Sequence, residues 1–256
     1  MLKQISLLIL CAVAIVLFAT PVHACTSAVV SGKVTLDGRP LLWKNRDTDF
    51  MRNHVDYVKG ERYDFIAVVN SANAYLKEAW MGTNSAGFAL MNTQSYNLVD
   101  VKGDEERGAA NGRVIYRALE VCATVEDFCH FLDTISKPSD IEANFGVIDA
   151  QGGAAMFEVD YYKYVMYDAN NPKDAPYGYI ARTNFSFAGK VNEGAGYVRY
   201  MEADQVLMKA SATGNITPQF IFNDLSRSFR NRMLDIDLRS GGYNRPQASG
   251  WFIDQD

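Results

Sequence analysis

The sequence predicts an α+β fold in which antiparallel hairpins are covered on the outside by helices. Short β-branched and aromatic runs, separated by Gly, Asp and Asn turn signals, occupy the first part of the chain and recur after residue 144. Two segments with helical spacing divide those groups, and two more follow. Strands, two helices, strands and two helices make a layered pattern.

Thr26 to Ser31 is small and β-branched, as a buried strand is. Asp37-Gly38 signals a turn, and Pro40 to Asn45 reads as the returning strand, so Cys25 opens a hairpin. The second strand runs into the polar cluster Lys44-Asn45-Arg46-Asp47-Thr48-Asp49, which the hairpin brings back toward its start. Asp64 to Val69, Glu78 to Met81 and Gly87 to Asn92 are further strands, with a turn at Asn84-Ser85-Ala86-Gly87. Gly112 to Val121 has helical spacing through Val114, Ile115, Ala118 and Leu119. Thr124, with Glu126 and Asp127 behind it, starts a second helix that Lys137-Pro138 ends. Phe145 to Asp149, Ala154 to Val159, Tyr164 to Tyr167 and Tyr179 to Thr183 are strands; Tyr197 to Lys209 and Pro218 to Phe229 are helices.

The first 24 residues read as a secretory leader. Lys3 supplies a positive start, Ile5 to Ala19 is apolar apart from Ser6, and Val22 and Ala24 are the small residues a signal peptidase requires. The apolar run is about 15 residues, short of the roughly 20 that span a bilayer. The expectation is an exported protein, periplasmic or secreted. Two alternatives stay open: a retained anchor, and a lipoprotein tethered through Cys25, although His23 stands where a lipoprotein box has a small residue.

Cleavage of the 256-residue chain before Cys25 leaves a mature chain of 232, read as a single domain. Hydrophobic residues at 48% suffice for a substantial core. The net charge of -5 and the lack of a long basic cluster argue against nucleic acid as a partner. Cys122 and Cys129 could form a disulfide or remain two free thiols. His54 and His130 are the histidines left after cleavage, and no HExxH, CxxC or GxSxG occurs. Gly82-Thr83-Asn84-Ser85-Ala86-Gly87 has phosphate-loop glycine spacing, but Phe88-Ala89 stands where Lys-Ser/Thr is required. Neither a metal nor another cofactor is called for.

Covalent chemistry therefore points to Cys25. At a free N-terminus it carries a thiol nucleophile and an α-amine with a pKa of about 7.7–8.0, so one residue supplies nucleophile and general base.

An N-terminal cysteine on a hairpin, with Asn-x-Asp on the returning strand, resembles the N-terminal-nucleophile (Ntn) hydrolases. Within them the chain is similar to the linear-amide hydrolases: choloylglycine hydrolase, penicillin V acylase and isopenicillin N acyltransferase-like proteins. Cys25-Thr26, Lys44-Asn45-Arg46-Asp47, Gly82 to Gly87, Asp149-Ala150-Gln151-Gly152 with Glu158, Arg182-Thr183-Asn184 and Arg199-Tyr200 carry the likeness in order. It implies a four-layer αββα sandwich and hydrolysis of a linear amide C–N bond in a small N-acylated substrate, by an acyl-thioester. Acyl transfer, dipeptide hydrolysis and a non-catalytic lipoprotein are the other readings. Lys44 departs from the arginine usual there, and Arg46 could take its role. The stretch from Asn184 to Arg199 is short, which puts the family's tetramer in doubt and leaves a homo-oligomer open, and the family's chains usually continue with further strands, which leaves open an incomplete C-terminus here.

The site roles implied are specific. Asp47 would accept from the α-amine, Arg46 or Arg199 would favour the thiolate, and Asn184, or secondly Asn92, would donate to the oxyanion. Each residue also has a plainer role: Asp47 as a cap or a partner of Arg46, Asn184 as a turn residue, Asn92 and Arg199 as surface residues. Trp80, Tyr96 and Trp251 could line an acyl pocket or simply fill the core.

Overall fold

The computed structural model describes residues 25–100 and 108–237. The leader, Cys11 and the aromatic, glycine-rich stretch from Ser240 to Asp256, with Trp251, lie outside the described residues.

Two antiparallel sheets form the middle of the molecule. The smaller has the order β10-β1-β2, from β1 (Cys25–Val30), β2 (Leu41–Arg46) and β10 (Tyr179–Arg182). The larger runs β3-β4-β5-β6-β7-β8-β9, from β3 (Asn53–Val58), β4 (Phe65–Asn70), β5 (Met81–Asn84), β6 (Ala89–Gln94), β7 (Ala143–Ile148), β8 (Ala154–Val159) and β9 (Tyr164–Asp168). Helices α1 (Asn111–Val121) and α2 (Val125–Thr134) belong to the larger sheet, and α3 (Tyr197–Ser211) and α4 (Pro218–Phe220, tightening into a π turn over Ile221–Leu225) to the smaller. A two-residue ladder, β11 (Arg230–Asn231) with β12 (Ile236–Asp237), closes the described chain.

Three apolar clusters separate four layers. Phe88, Leu90, Phe145 and Phe157 meet Ile115, Leu119, Phe128 and Leu132 between the larger sheet and α1 and α2. Val29 and Ile180 meet Met91 and Met156 between the sheets. Ala28, Val30, Trp43 and Tyr179 meet Ala203, Leu207, Ile221 and Leu225 under α3 and α4. Side chains alternate between the two faces of a strand, so β1 feeds two clusters at once. This is the expected αββα sandwich.

Local chemistry explains most element ends. Thr124 caps α2 in a capping box, its hydroxyl accepting from Asp127 N at 3.0 Å while the Asp127 carboxylate accepts from Thr124 N at 3.1 Å. Asp149 holds the β7–β8 turn by accepting from Gln151 N and Gly153 N at 2.9 and 2.8 Å, and it also takes Val125 N at 2.9 Å. That carboxylate is a structural clamp.

Several expectations needed correction. Residues 53–58 form a strand that the sequence reading did not include; Val55 and Tyr57 alternate with His54 and Asp56, but the run is short, follows a polar stretch and is mostly exposed. Gly82 to Asn84 belong to a strand, and only Ser85 to Gly87 turn, with Gly87 at φ +83°. The last helix stops at Leu225, short of Phe229. The β1–β2 link contains a short 3₁₀ turn at Gly32–Val34, so the pair is not a tight hairpin. Cys122 and Cys129 are free thiols; burial pushes the Cys122 thiol up to about 12, and Cys129 Sγ lies 3.8 Å from Met166 Sδ.

One buried ion pair joins the sheets. Arg182 of β10 donates to Glu158 of β8 at 2.6 Å, with side-chain exposures of 3% and 0%. Its guanidinium also lies 3.8 Å from the Phe187 ring centroid. Glu158 accepts from Phe187 N and Ala188 N at 2.8 and 2.7 Å, so the pair also pins the loop after Asn184. Glu158→Ala leaves a buried guanidinium without its counter-charge, with the Ala181 carbonyl still accepting from it at 2.7 Å, and leaves two amides without acceptors; it is expected to cost about 3–5 kcal/mol in urea unfolding. Glu158→Leu with Arg182→Met should recover only part of this, because the two amides stay unpaired.

Candidate active site

The ladder positions the site. Cys25 pairs with Arg46, Thr26 with Asn45 and Ser27 with Lys44. Directly opposed residues share a face, so Cys25, Lys44 and Arg46 stand on the face toward the larger sheet, together with Val29 and Leu42. Thr26, Trp43 and Asn45 stand on the helix face, where Trp43 Nε1 donates to Ser226 Oγ at 2.8 Å. Cys25 is 8% exposed.

Asn184 and Arg199 grip Cys25. Cys25 N donates to Asn184 Oδ1 at 2.8 Å, and Arg199 donates to the Cys25 carbonyl at 2.7 Å and to Thr26 Oγ1 at 3.3 Å. Arg199 also donates to Asn184 Oδ1 at 3.1 Å, and Asn184 Nδ2 donates to the Gln94 carbonyl at 2.8 Å. The amide orientation follows: two donors meet its oxygen and a carbonyl meets its nitrogen. Arg199 is therefore part of the site and not a surface helix residue. Asn184 is no plain turn residue, and its recorded bonds hold the Cys25 nitrogen instead of reaching for an oxyanion.

Asp47 lies one residue beyond the Cys25–Arg46 pair. Its main-chain carbonyl is 3.8 Å from Cys25 Sγ, a long contact for a thiol donor. With Ala24 attached, the Cys25 nitrogen has one hydrogen, and Asn184 takes it.

Lys44 and Arg46, the two candidates for the basic role, make different contacts. Arg46 donates to Asn70 Oδ1 at 2.8 Å and to Asn53 Oδ1, and its guanidinium lies 4.9 Å from the Trp80 ring centroid. Lys44 reaches inward to Asn92 Oδ1 at 3.0 Å and the Trp80 carbonyl at 3.1 Å. Desolvation lowers its pKa to about 8, with Cys25 working against that fall and Arg46 adding to it. Desolvation also lowers the Arg46 pKa, again opposed by Cys25. Both cations thus act electrostatically on the cysteine. Asn92 is 3% exposed and no surface residue.

Asn144 was missed. It is wholly buried on β7, donating to Thr93 Oγ1 at 3.1 Å and to the Thr183 and Phe185 carbonyls at 3.1 and 3.2 Å, and accepting from Ser186 Oγ at 2.6 Å. It fastens the segment that presents Asn184. An asparagine inside the apolar run Ala143 to Ile148 was the available signal, because a buried amide demands partners.

One hollow flanks the site on its helix side, lined by Thr26, Asn45, Asp47, Arg199 and Glu202. A separate apolar cleft of about 380 Å³ is lined by Leu42, Ile66, Val68, Met81 and Ile148, with Leu42 paired to Val29, four residues along β1 from Cys25. Trp80 borders the site through its carbonyl and ring, whereas Tyr96 N donates to the Asn184 carbonyl at 3.2 Å. His54 lies on β3 with Nδ1 3.0 Å from Ser71 Oγ, and His130 faces Glu126 on α2. Among the described residues, no group of three His, Cys, Asp or Glu could hold a metal ion, and no helix is long and apolar enough to cross a membrane.

Known proteins now give context. An N-acylethanolamine-hydrolyzing acid amidase ortholog from Caenorhabditis elegans aligns with a TM-score of 0.52 at 15% identity, over 78% of this chain and 89% of that one. A variant of conjugated bile acid hydrolase from Clostridium perfringens aligns at 0.47 and 13%, over 79% and 74%. Penicillin V acylase from Agrobacterium tumefaciens aligns at 0.35 and 18%, over 78% and 61%. No curated protein matches the sequence. The amidase likeness supports the Ntn-hydrolase fold. The family model described as acyl-coenzyme A:6-aminopenicillanic acid acyl-transferase matches residues 35–224, which begin after Cys25 and make up most of the chain. The chain belongs to that acyl-transferase family.

Proposed function

We propose that the mature protein is an exported Ntn-type enzyme that uses Cys25 to cleave a linear amide C–N bond in a small N-acylated substrate. The observation that carries this reading is the grip on Cys25: Asn184 holds its nitrogen and Arg199 its carbonyl, while Lys44 and Arg46 share its face. A buried strand end needs no such array of polar side chains, whereas a nucleophile that must be oriented does.

Removal of the leader turns the Cys25 nitrogen into an amine. Asn184 Oδ1 keeps one hydrogen, and the Asp47 carboxylate is suited to a second, which aims the lone pair at the thiol. The amine takes the Sγ proton as Sγ attacks the carbonyl carbon. An S–C bond forms, and the carbonyl electrons move to oxygen. Asn92 Nδ2 is the donor assigned to that oxyanion, since Asn184 is committed to orienting the amine. The C–N bond then breaks, the leaving amine takes the proton, and an acyl-thioester remains. Water, activated by the α-amine, returns the acyl group as a carboxylic acid. Arg46 and Lys44 favour the thiolate by charge. Acyl transfer uses the same steps with an amine in place of water, and membership of an acyl-transferase family keeps it as the second reading.

Cys25→Ala should abolish hydrolysis of a panel of chromogenic N-acyl amides, while residual turnover equal to wild type would refute the nucleophile. The intact mass should match an unmodified chain starting at Cys25; added lipid mass would identify an anchor instead. Asn92→Ala should lower kcat by about 10²- to 10³-fold, as loss of an oxyanion donor does. Asn184→Ala should also slow turnover, and should shift the acid limb of the pH–rate profile because it releases the amine.

A further inference from the structure

Lys44 makes a contact that the mechanism above uses only as charge. Its Nζ meets two acceptors from the facing sheet, Asn92 Oδ1 at 3.0 Å and the Trp80 carbonyl at 3.1 Å. An ammonium has three donors and no acceptor. While it is charged, Asn92 can present only its oxygen to Lys44, because the exchanged amide would set N–H against N–H. The Nδ2 group then faces away from Lys44, and among the described residues no protein acceptor is recorded for it.

We propose that Lys44 is a positioning residue for the Asn92 amide, locking its nitrogen toward the reacting carbonyl, and that loss of the Lys44 proton sets the alkaline limit of activity. The inference rests on the reading of Cys25 as nucleophile. A neutral amine carries a lone pair and accepts as well as donates, so deprotonation makes both amide orientations available and the donor is no longer preorganised.

The surroundings restrict what else can titrate there. Cys25 on β1 and Arg46 on β2 are the charged groups acting on Lys44. Strands β4, β5, β6 and β7 carry no titratable side chain. On β3, His54 and Asp56 alternate away from Asn53, the residue that meets Arg46. Arg182 and Glu158 neutralise each other at 2.6 Å, and Glu78, ahead of Trp80, is paired with Arg113 at 3.4 Å. Lys44 has a pKa of about 8, so it is charged below that pH and neutral above it. The α-amine is a base only when neutral, so its deprotonation sets the acid limb.

The test is the pH dependence of kcat/KM for wild type, Lys44→Arg and Lys44→Met on a chromogenic N-acyl amide. Wild type should be bell-shaped, with its alkaline limb near pH 8. Lys44→Arg should keep the acid limb and lose the alkaline one, since a guanidinium stays protonated throughout. Lys44→Met should have kcat lowered by about 10- to 10²-fold, less than full loss of the donor, and no alkaline limb. Lys44→Met should slow the Asn92→Ala variant by less than it slows wild type, because the amide it locks is already gone and only its charge beside Cys25 is left to lose. A Lys44→Arg profile that keeps the wild-type alkaline limb overturns the proposal, as does a double variant slowed by the product of the single effects. Should neither Lys44 variant fold, wild-type activity that stays flat through alkaline pH overturns it equally. Cys25→Ala in the same assay separates the two claims: if it retains full activity the nucleophile reading fails, whereas its loss beside an unmoved limb removes the role of Lys44 alone.

Discussion

Everything in the site depends on β1 being held between two antiparallel neighbours. Pairing with β2 brings Arg46 opposite Cys25 and Lys44 opposite Ser27, and pairing with β10 brings Arg182 opposite Ser27. β10 also leads directly into Thr183 and Asn184, so one strand aligns both the basic residues and the asparagine that takes the Cys25 nitrogen. A one-residue slip would turn Cys25 toward the helices and break all of these relations together. Val29 between the sheets and Ala28 and Val30 under the helices oppose that slip, because each would land in the wrong cluster.

The larger sheet contributes rigidity. Thr93, Asn144 and Glu158 are buried polar residues on β6, β7 and β8 in turn, and each ends in a bond to the segment from Arg182 to Ala188. Buried polar groups are costly unless fully paired, and such networks specify one arrangement. They hold the loop of Asn184 from behind while Arg199 holds Asn184 from α3. Oriented amides and fixed charges thus surround Cys25 before any substrate arrives, which is the condition for electrostatic preorganisation.

The layer order was legible because apolar periodicity and capping signals are local. Thr124 with Asp127 marked α2, and Ala154 to Val159 marked β8 to the residue. The edge strand β3 was not legible, since its short alternation at Val55 and Tyr57 puts the apolar residues out to solvent and no buried run marks it. Within the site, Cys25, Arg199 and Asn184 could be picked from order and residue type, but their partners could not. Whether Asn184 gives its oxygen or its nitrogen depends on Arg199 and the Gln94 carbonyl, which are 15 and 90 residues away. Likewise the partners that distinguish Lys44 from Arg46, Asn92 and the Trp80 carbonyl for one and Asn70 for the other, lie across the sheet gap.

The central claim is that Cys25 becomes acylated while its amine is free. The direct measurement is rapid acid quenching of the mature enzyme with an N-acyl amide, followed by mass spectrometry of the intact chain and of its N-terminal peptide. The account predicts a transient mass increase equal to the acyl group, located on Cys25 Sγ, labile to hydroxylamine and absent in Cys25→Ala. Turnover with no adduct, an adduct on another residue, or a blocked Cys25 amine in the active enzyme would contradict it.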